Sequence, residues 1–147
     1  MPIKDALKLA NQKYKVEEID NGYLASLEGE KLFYFGRKTK EDTVGFIEIY
    51  YPKFKTKDGL RVGISIDEAI KNKNIRMGYD GISDQEYLAP ADLQVPNEHF
   101  YKSLCLFYVS SNENELLGDY SLSDNEESTY NFKTNGIISR ILIYYWN

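Results

Sequence analysis

The stretch from Gly136 to Tyr145, GIISRILIYY, limits the fold more than any other part of the chain. Its Ile and Tyr residues suit a β-strand, where branched and aromatic side chains pack on a pleated surface. A strand this apolar at the edge of a sheet would invite pairing with other chains. It is therefore expected to lie centrally, with a neighbour on each side, and the rest of the chain must supply those neighbours.

The upstream sequence supplies them. KVEEID is followed by Asn21-Gly22, a strong hairpin signal. YLASLEGEKLFYFGRK contains a second turn near Gly29. TVGFIEIYYP reads as a longer strand ended by Pro52. In that strand Ile47, Ile49 and Tyr51 share one face, and Phe46, Glu48 and Tyr50 the other. HFYKSLCLFYVSS reads as a further strand, and TYNFKT, Asn135-Gly136 and the closing run read as a hairpin. Residues 78–98 contain Gly78, Gly81, Pro90 and Pro96 and are expected to form a long connection, a place where function often sits. NENELLGDYSLSDNEES, within residues 112–128, reads as an acidic excursion.

Helical signals are few. Pro2 suits a first helical turn, and Ile3, Leu7, Ala10 and Tyr14 follow at helical spacing, which predicts an amphipathic helix over 3–14 that packs on the sheet. Ser65 and Glu68 form S-x-x-E, a capping box, ahead of the apolar stripe Ile66, Ala69 and Ile70. The expected architecture is a single α+β domain over residues 1–147, with a mostly antiparallel, curved sheet of about six to eight strands and two short helices.

Chemistry is sparse. Gly59 and Gly63 in FKTKDGLRVGISIDEAIKNKN fit neither the P-loop nor the dinucleotide spacing. Asp67 and Glu68 in the first helical turn already complement the helix dipole and would repel a phosphate. With one His and one Cys, a structural zinc site is excluded. Asp80, Asp84 and Glu86 lie close in sequence but lack EF-hand spacing. Cys105 has apolar neighbours on both sides and is expected to pack as a small hydrophobe. His99 cannot complete a Ser-His-Asp or Cys-His arrangement from anything the sequence places near it. No catalytic residue, metal or cofactor is assigned.

Charge is uneven. Residues 1–75 hold 14 Lys and Arg against 12 Asp and Glu, and residues 76–147 hold 4 against 11. An acidic second half disfavours nucleic acid, because phosphates would be repelled. Lys53, Lys55 and Lys57 alternate, with Arg61 beyond, so on an extended strand they would share one face. That face would guard an edge, or dock an acidic partner or anionic lipid headgroups, with nucleic acid a lesser alternative. No run approaches the ~18 apolar residues of a membrane-spanning helix. The first twelve residues carry no apolar leader core, and a leader removed ahead of Met1 remains compatible with them.

The residues Thr56, Gly59, Leu60, Val62, Gly63, Ser65 and Glu68, followed by Gly136, Ile138 and Ile141, resemble a pattern in small bacterial envelope lipoprotein domains of uncharacterised role. In those domains a turn and short helix precede a strand meander. The resemblance covers about a third of the chain and implies a fold and a bacterial envelope or secreted location, with the cytoplasm second. The lipid-bearing N-terminal Cys of such proteins is not present here.

The leading functional expectation is a non-catalytic binding domain with a protein partner. An inhibitor or immunity protein is an alternative. It would use Asp119, Asp124, Glu126 and Glu127 to cover a basic toxin or hydrolase. A small-ligand or lipid carrier is another, and predicts a cavity lined by Tyr and Ile between sheet and helix. An enzyme predicts a pocket holding His99 or a carboxylate pair.

Overall fold

The computed structural model describes residues 1–38, 41–71, 73–90, 103–111, 113–120 and 128–145. The elements run α1 (Ile3–Asn11), β1 (Lys15–Ile19), β2 (Gly22–Leu27), β3 (Glu30–Arg37), β4 (Val44–Ile49), α2 (Ile66–Ile70), β5 (Ile75–Asp80), β6 (Gln85–Pro90), β7 (Ser103–Ser111), β8 (Ser128–Thr129) and β9 (Gly136–Tyr145). Nine strands form one antiparallel sheet in the order β1-β2-β3-β4-β9-β7-β6-β5-β8. The helical content is small, so the α+β description fits loosely.

β9 occupies the fifth place in that order, between β4 and β7, as its composition requires. β4 reaches only as far as Ile141 on it. Beyond that point the segment 63–65 takes over the same edge. Gly63 N donates to Ile138 O at 2.8 Å, and Ile138 N donates to Ile64 O at 2.9 Å.

The register aligns one apolar row across six strands, continued by Thr129 on a seventh. Phe33 faces Ile49, Ile49 faces Ile141, Ile141 faces Phe107, Phe107 faces Leu88, Leu88 faces Met77, and Met77 faces Thr129. Side chains alternate across a strand, so this row defines one face of the sheet. Both helices pack on it. α2 contributes Ile66 and Ala69, each 0% exposed, to a core with Met77, Leu88, Ile138 and Ile141. α1 contributes Ile3 and Ala10 to a second core with Tyr23 and Phe35. The expected faces of β4 hold: Ile47 and Ile49 join these cores, and Phe46 and Glu48 point away.

Local signals explain the turns. The β1–β2 loop is Asp20-Asn21, one residue earlier than Asn21-Gly22, and Asp20 takes φ 52°. Gly22 itself is in the strand, because the Tyr34 ring occupies the space a Cβ would need. Glu28 and Gly29, at φ 53° and 86°, turn β2 into β3 as expected. Ser65 Oγ accepts from Glu68 N at 3.2 Å and caps α2.

Two expectations are corrected. Residues 78–90 are not a connection but most of a hairpin, in which β5 and β6 pair from Ile75–Pro90 to Asp80–Gln85. Gly78 is a strand residue over which the Tyr87 ring lies, not a turn former. The rest of the expected loop, 91–98, lies outside the described residues. TYNFKT also does not pair with β9. Its first residue, Thr129, forms β8 with Ser128 and adds to β5 at the far edge, while Phe132 bridges Gly118. β9 is too well matched to β4 and β7 to need a hairpin partner.

Candidate functional site

α1 is fixed at both ends against the β3–β4 corner. Ile3 N donates to Asp42 O at 2.9 Å, and Val44 N donates to Met1 O at 2.9 Å. Just past its other end, the Tyr14 ring meets Phe33 edge-on, with centroids 5.6 Å apart. Ile3, Ala6, Leu7 and Ala10 fall on the inward stripe of the helix. Two of these four are alanines. Where the small side chains leave space, an open pocket of about 610 Å³ lies between helix and sheet, with the exposed Leu9 and Lys13 on its rim.

Ala6, Leu9, Ala10, Phe33, Val44 and Ile47 make its apolar wall. Its polar lining is Gln12, Lys13, Lys38 and Thr43, with Tyr14 and Tyr145 also present. Among the described lining residues there is no Asp, Glu, His or Cys, and so no carboxylate pair or nucleophile–base pair. Lys38 Nζ lies 3.4 Å from Glu41 Oε1, and Thr43 Oγ1 donates to Glu41 Oε2 at 3.3 Å. Glu41 thus holds both lysine and threonine at the mouth from outside the cavity.

The opposite face of the sheet carries a polar network that runs across β4, β9, β7, β6 and β5. Arg140 Nη1 pairs with Glu48 Oε1 at 2.5 Å, and Nη2 donates to Gln85 Oε1 at 2.8 Å. The guanidinium lies 3.8 Å from the Tyr108 ring centroid. Tyr108 donates its hydroxyl to Asp80 Oδ2 at 2.8 Å, and Tyr50 donates to Glu48. Burial and the bonded carboxylates raise both tyrosines well above their ordinary range, since a hydrogen bond to a neighbouring anion favours the neutral phenol. Charged groups here partner one another, so the network reads as a stitch between strands.

A third cluster is structural as well. Glu86 is 6% exposed. Its carboxylate accepts from Leu117 N and Gly118 N at 2.7 Å each and from Tyr120 Oη at 2.8 Å. It ties the segment after β7 to the sheet.

The residues singled out from sequence do not converge. Pro52 and Lys53 turn, with Phe54 N donating to Tyr51 O, so Lys53, Lys55 and Lys57 do not lie along one extended strand. Lys55 instead bridges Arg61 across a small loop, and Lys53 lies over the Tyr51 ring at 5.7 Å. All four cations are exposed. Asp119 accepts from Asn131 Nδ2 at 3.3 Å, whereas Asp124, Glu126 and Glu127, like His99, lie outside the described residues. Asp80 and Asp84 are engaged by separate donors, and among the described residues no three potential ligands gather around a metal position. Cys105 is half-buried against the core, and burial raises its thiol to about 11. No described helix is long and apolar enough to cross a membrane.

No family model, curated protein or solved structure matches the chain. The site that stands out is therefore the one its own geometry provides, the cavity under α1. From sequence, a cavity between helix and sheet, lined by Tyr and Ile, entered only as what a small-ligand or lipid carrier would require. The available signal was the pair Ala6 and Ala10 on an otherwise bulky stripe.

Proposed function

We propose that this domain binds a small apolar molecule, without catalysis, in the cavity between α1 and β3–β4. The observation that carries the reading is a cavity of about 610 Å³ with a largely apolar wall. Ligand sites commonly have volumes of ~300–1,000 Å³, apolar walls and a few placed polar groups. The pocket opens to solvent beside the exposed Leu9, so an apolar molecule entering it would cover apolar surface that water otherwise wets. The described lining offers no acid–base pair, which supports holding over reacting.

A neutral fluorescent probe, N-phenyl-1-naphthylamine, tests this directly. Saturable binding to the wild type is expected, with weakened binding in Ala6→Phe, whose ring projects from the wall into the cavity. Far-UV circular dichroism and thermal unfolding check that the variant stays folded. Absence of saturable binding, or equal binding by a folded Ala6→Phe protein, would overturn the reading.

A further inference from the structure

We infer that the molecule held under α1 is a carboxylate amphipath, with its head at Lys38 and Thr43 and its apolar body running toward Phe33 and Leu9. The inference rests on the cavity being a binding site. The chain has 23 acidic and 18 basic residues, a net charge of −5. Yet the described cavity lining carries Lys13 and Lys38 and no carboxylate. A pocket of one charge sign on a protein of the other sign selects the complementary ligand.

The position of the head follows from Glu41. Its two carboxylate oxygens already accept from Lys38 Nζ at 3.4 Å and Thr43 Oγ1 at 3.3 Å. Both donors line the cavity and Glu41 does not. Glu41 therefore acts as the chain's own stand-in for a ligand carboxylate. Its hold is weak: both contacts are long, and the Lys38 and Glu41 side chains are 29% and 49% exposed. Solvent-exposed ion pairs of this kind contribute little, so a ligand carboxylate with a buried apolar body can take its place. Lys13 follows the C-terminal end of α1, where the helix dipole is negative and an anion is less favoured. The head belongs at the Lys38 end, next to the N-terminal end of α1.

The test uses displacement of N-phenyl-1-naphthylamine by decanoate and by the neutral decanol, on the wild type and on Lys38→Met, Lys13→Met and Glu41→Gln. Decanoate is expected to displace the probe more strongly than decanol. Lys38→Met should weaken decanoate by about tenfold, the scale of one charge-assisted hydrogen bond, and leave decanol and the probe within twofold. Glu41→Gln should strengthen decanoate alone, a gain that misfolding cannot imitate. Lys13→Met should change decanoate less than twofold. If the probe binds but decanoate and decanol compete equally, or if Lys13→Met carries the loss, the inference falls while the cavity reading stands. If the probe does not bind at all, both fall.

Discussion

At the scale of single residues, Glu86 shows how a charge can be buried without chemistry. Three donors converge on one carboxylate and leave no acceptor capacity exposed to a ligand. A glutamine there would turn an NH₂ toward backbone N–H groups that need an acceptor. Glu86→Gln is expected to lower stability by about 1–3 kcal/mol, read from urea unfolding. A loss under about 0.5 kcal/mol would show that the anchor is dispensable. Gly78 carries a different lesson. In the sequence it looks like turn punctuation, because glycine is common in turns. Its actual role is to leave room for the Tyr87 ring on the neighbouring strand, and no local pattern announces a contact with a residue nine positions on.

At the scale of elements, the β5–β6 turn is held by Asp80. Burial opposes its ionisation. The hydroxyls of Ser83 and Tyr108 and the amides of Ile82 and Ser83 outweigh burial and keep its carboxyl below the usual range. A lowered folded-state value means that the unfolded chain binds the proton more tightly. The contribution of Asp80 is then fully present above ~pH 3.9, the ordinary value, and is lost as pH falls through the lower folded-state value. Asp80→Asn should be less stable than the wild type at neutral pH. The gap should narrow as pH drops below ~3.9, as followed by chemical unfolding at a series of pH values. A gap that stays constant, or widens in acid, would contradict the assignment. The helices show how far local signals reach. α1 was legible from its 3.6-residue period and α2 from its cap, yet neither signal says that a pocket would open beside α1.

At the scale of the whole molecule, β9 joins two groups of strands. β1–β4 lie on one side of it, and β5–β8 with β7 adjacent lie on the other. A chain ending at Asn135 retains eight of the nine strands, but it loses the row Ile138, Ile141 and Ile143 and leaves facing edges of β4 and β7 unpaired. Such a chain is expected to lack a cooperative unfolding transition and to show collapsed amide dispersion in a ¹H–¹⁵N spectrum. A folded, cooperative product would mean that the two groups are stable apart. In the intact protein, amide exchange should be slowest in β9 and fastest in β1 and β8. Central, doubly paired strands open only with global unfolding, while edges fray.

The sequence by itself determined the strand-rich character, the two helices, the faces of β4 and the central place of β9. Each rests on periodicity, composition or capping within a dozen neighbouring residues. The tertiary structure alone decided that 78–90 pairs as a hairpin and that residues 128–129 join the far edge. It also decided that Lys38, Thr43 and Glu41 meet at the mouth of a space under α1. The place of β8 and the space beside α1 depend on contacts between segments far apart in the chain and on how closely a helix can approach a sheet, and the volumes of many side chains acting together set both.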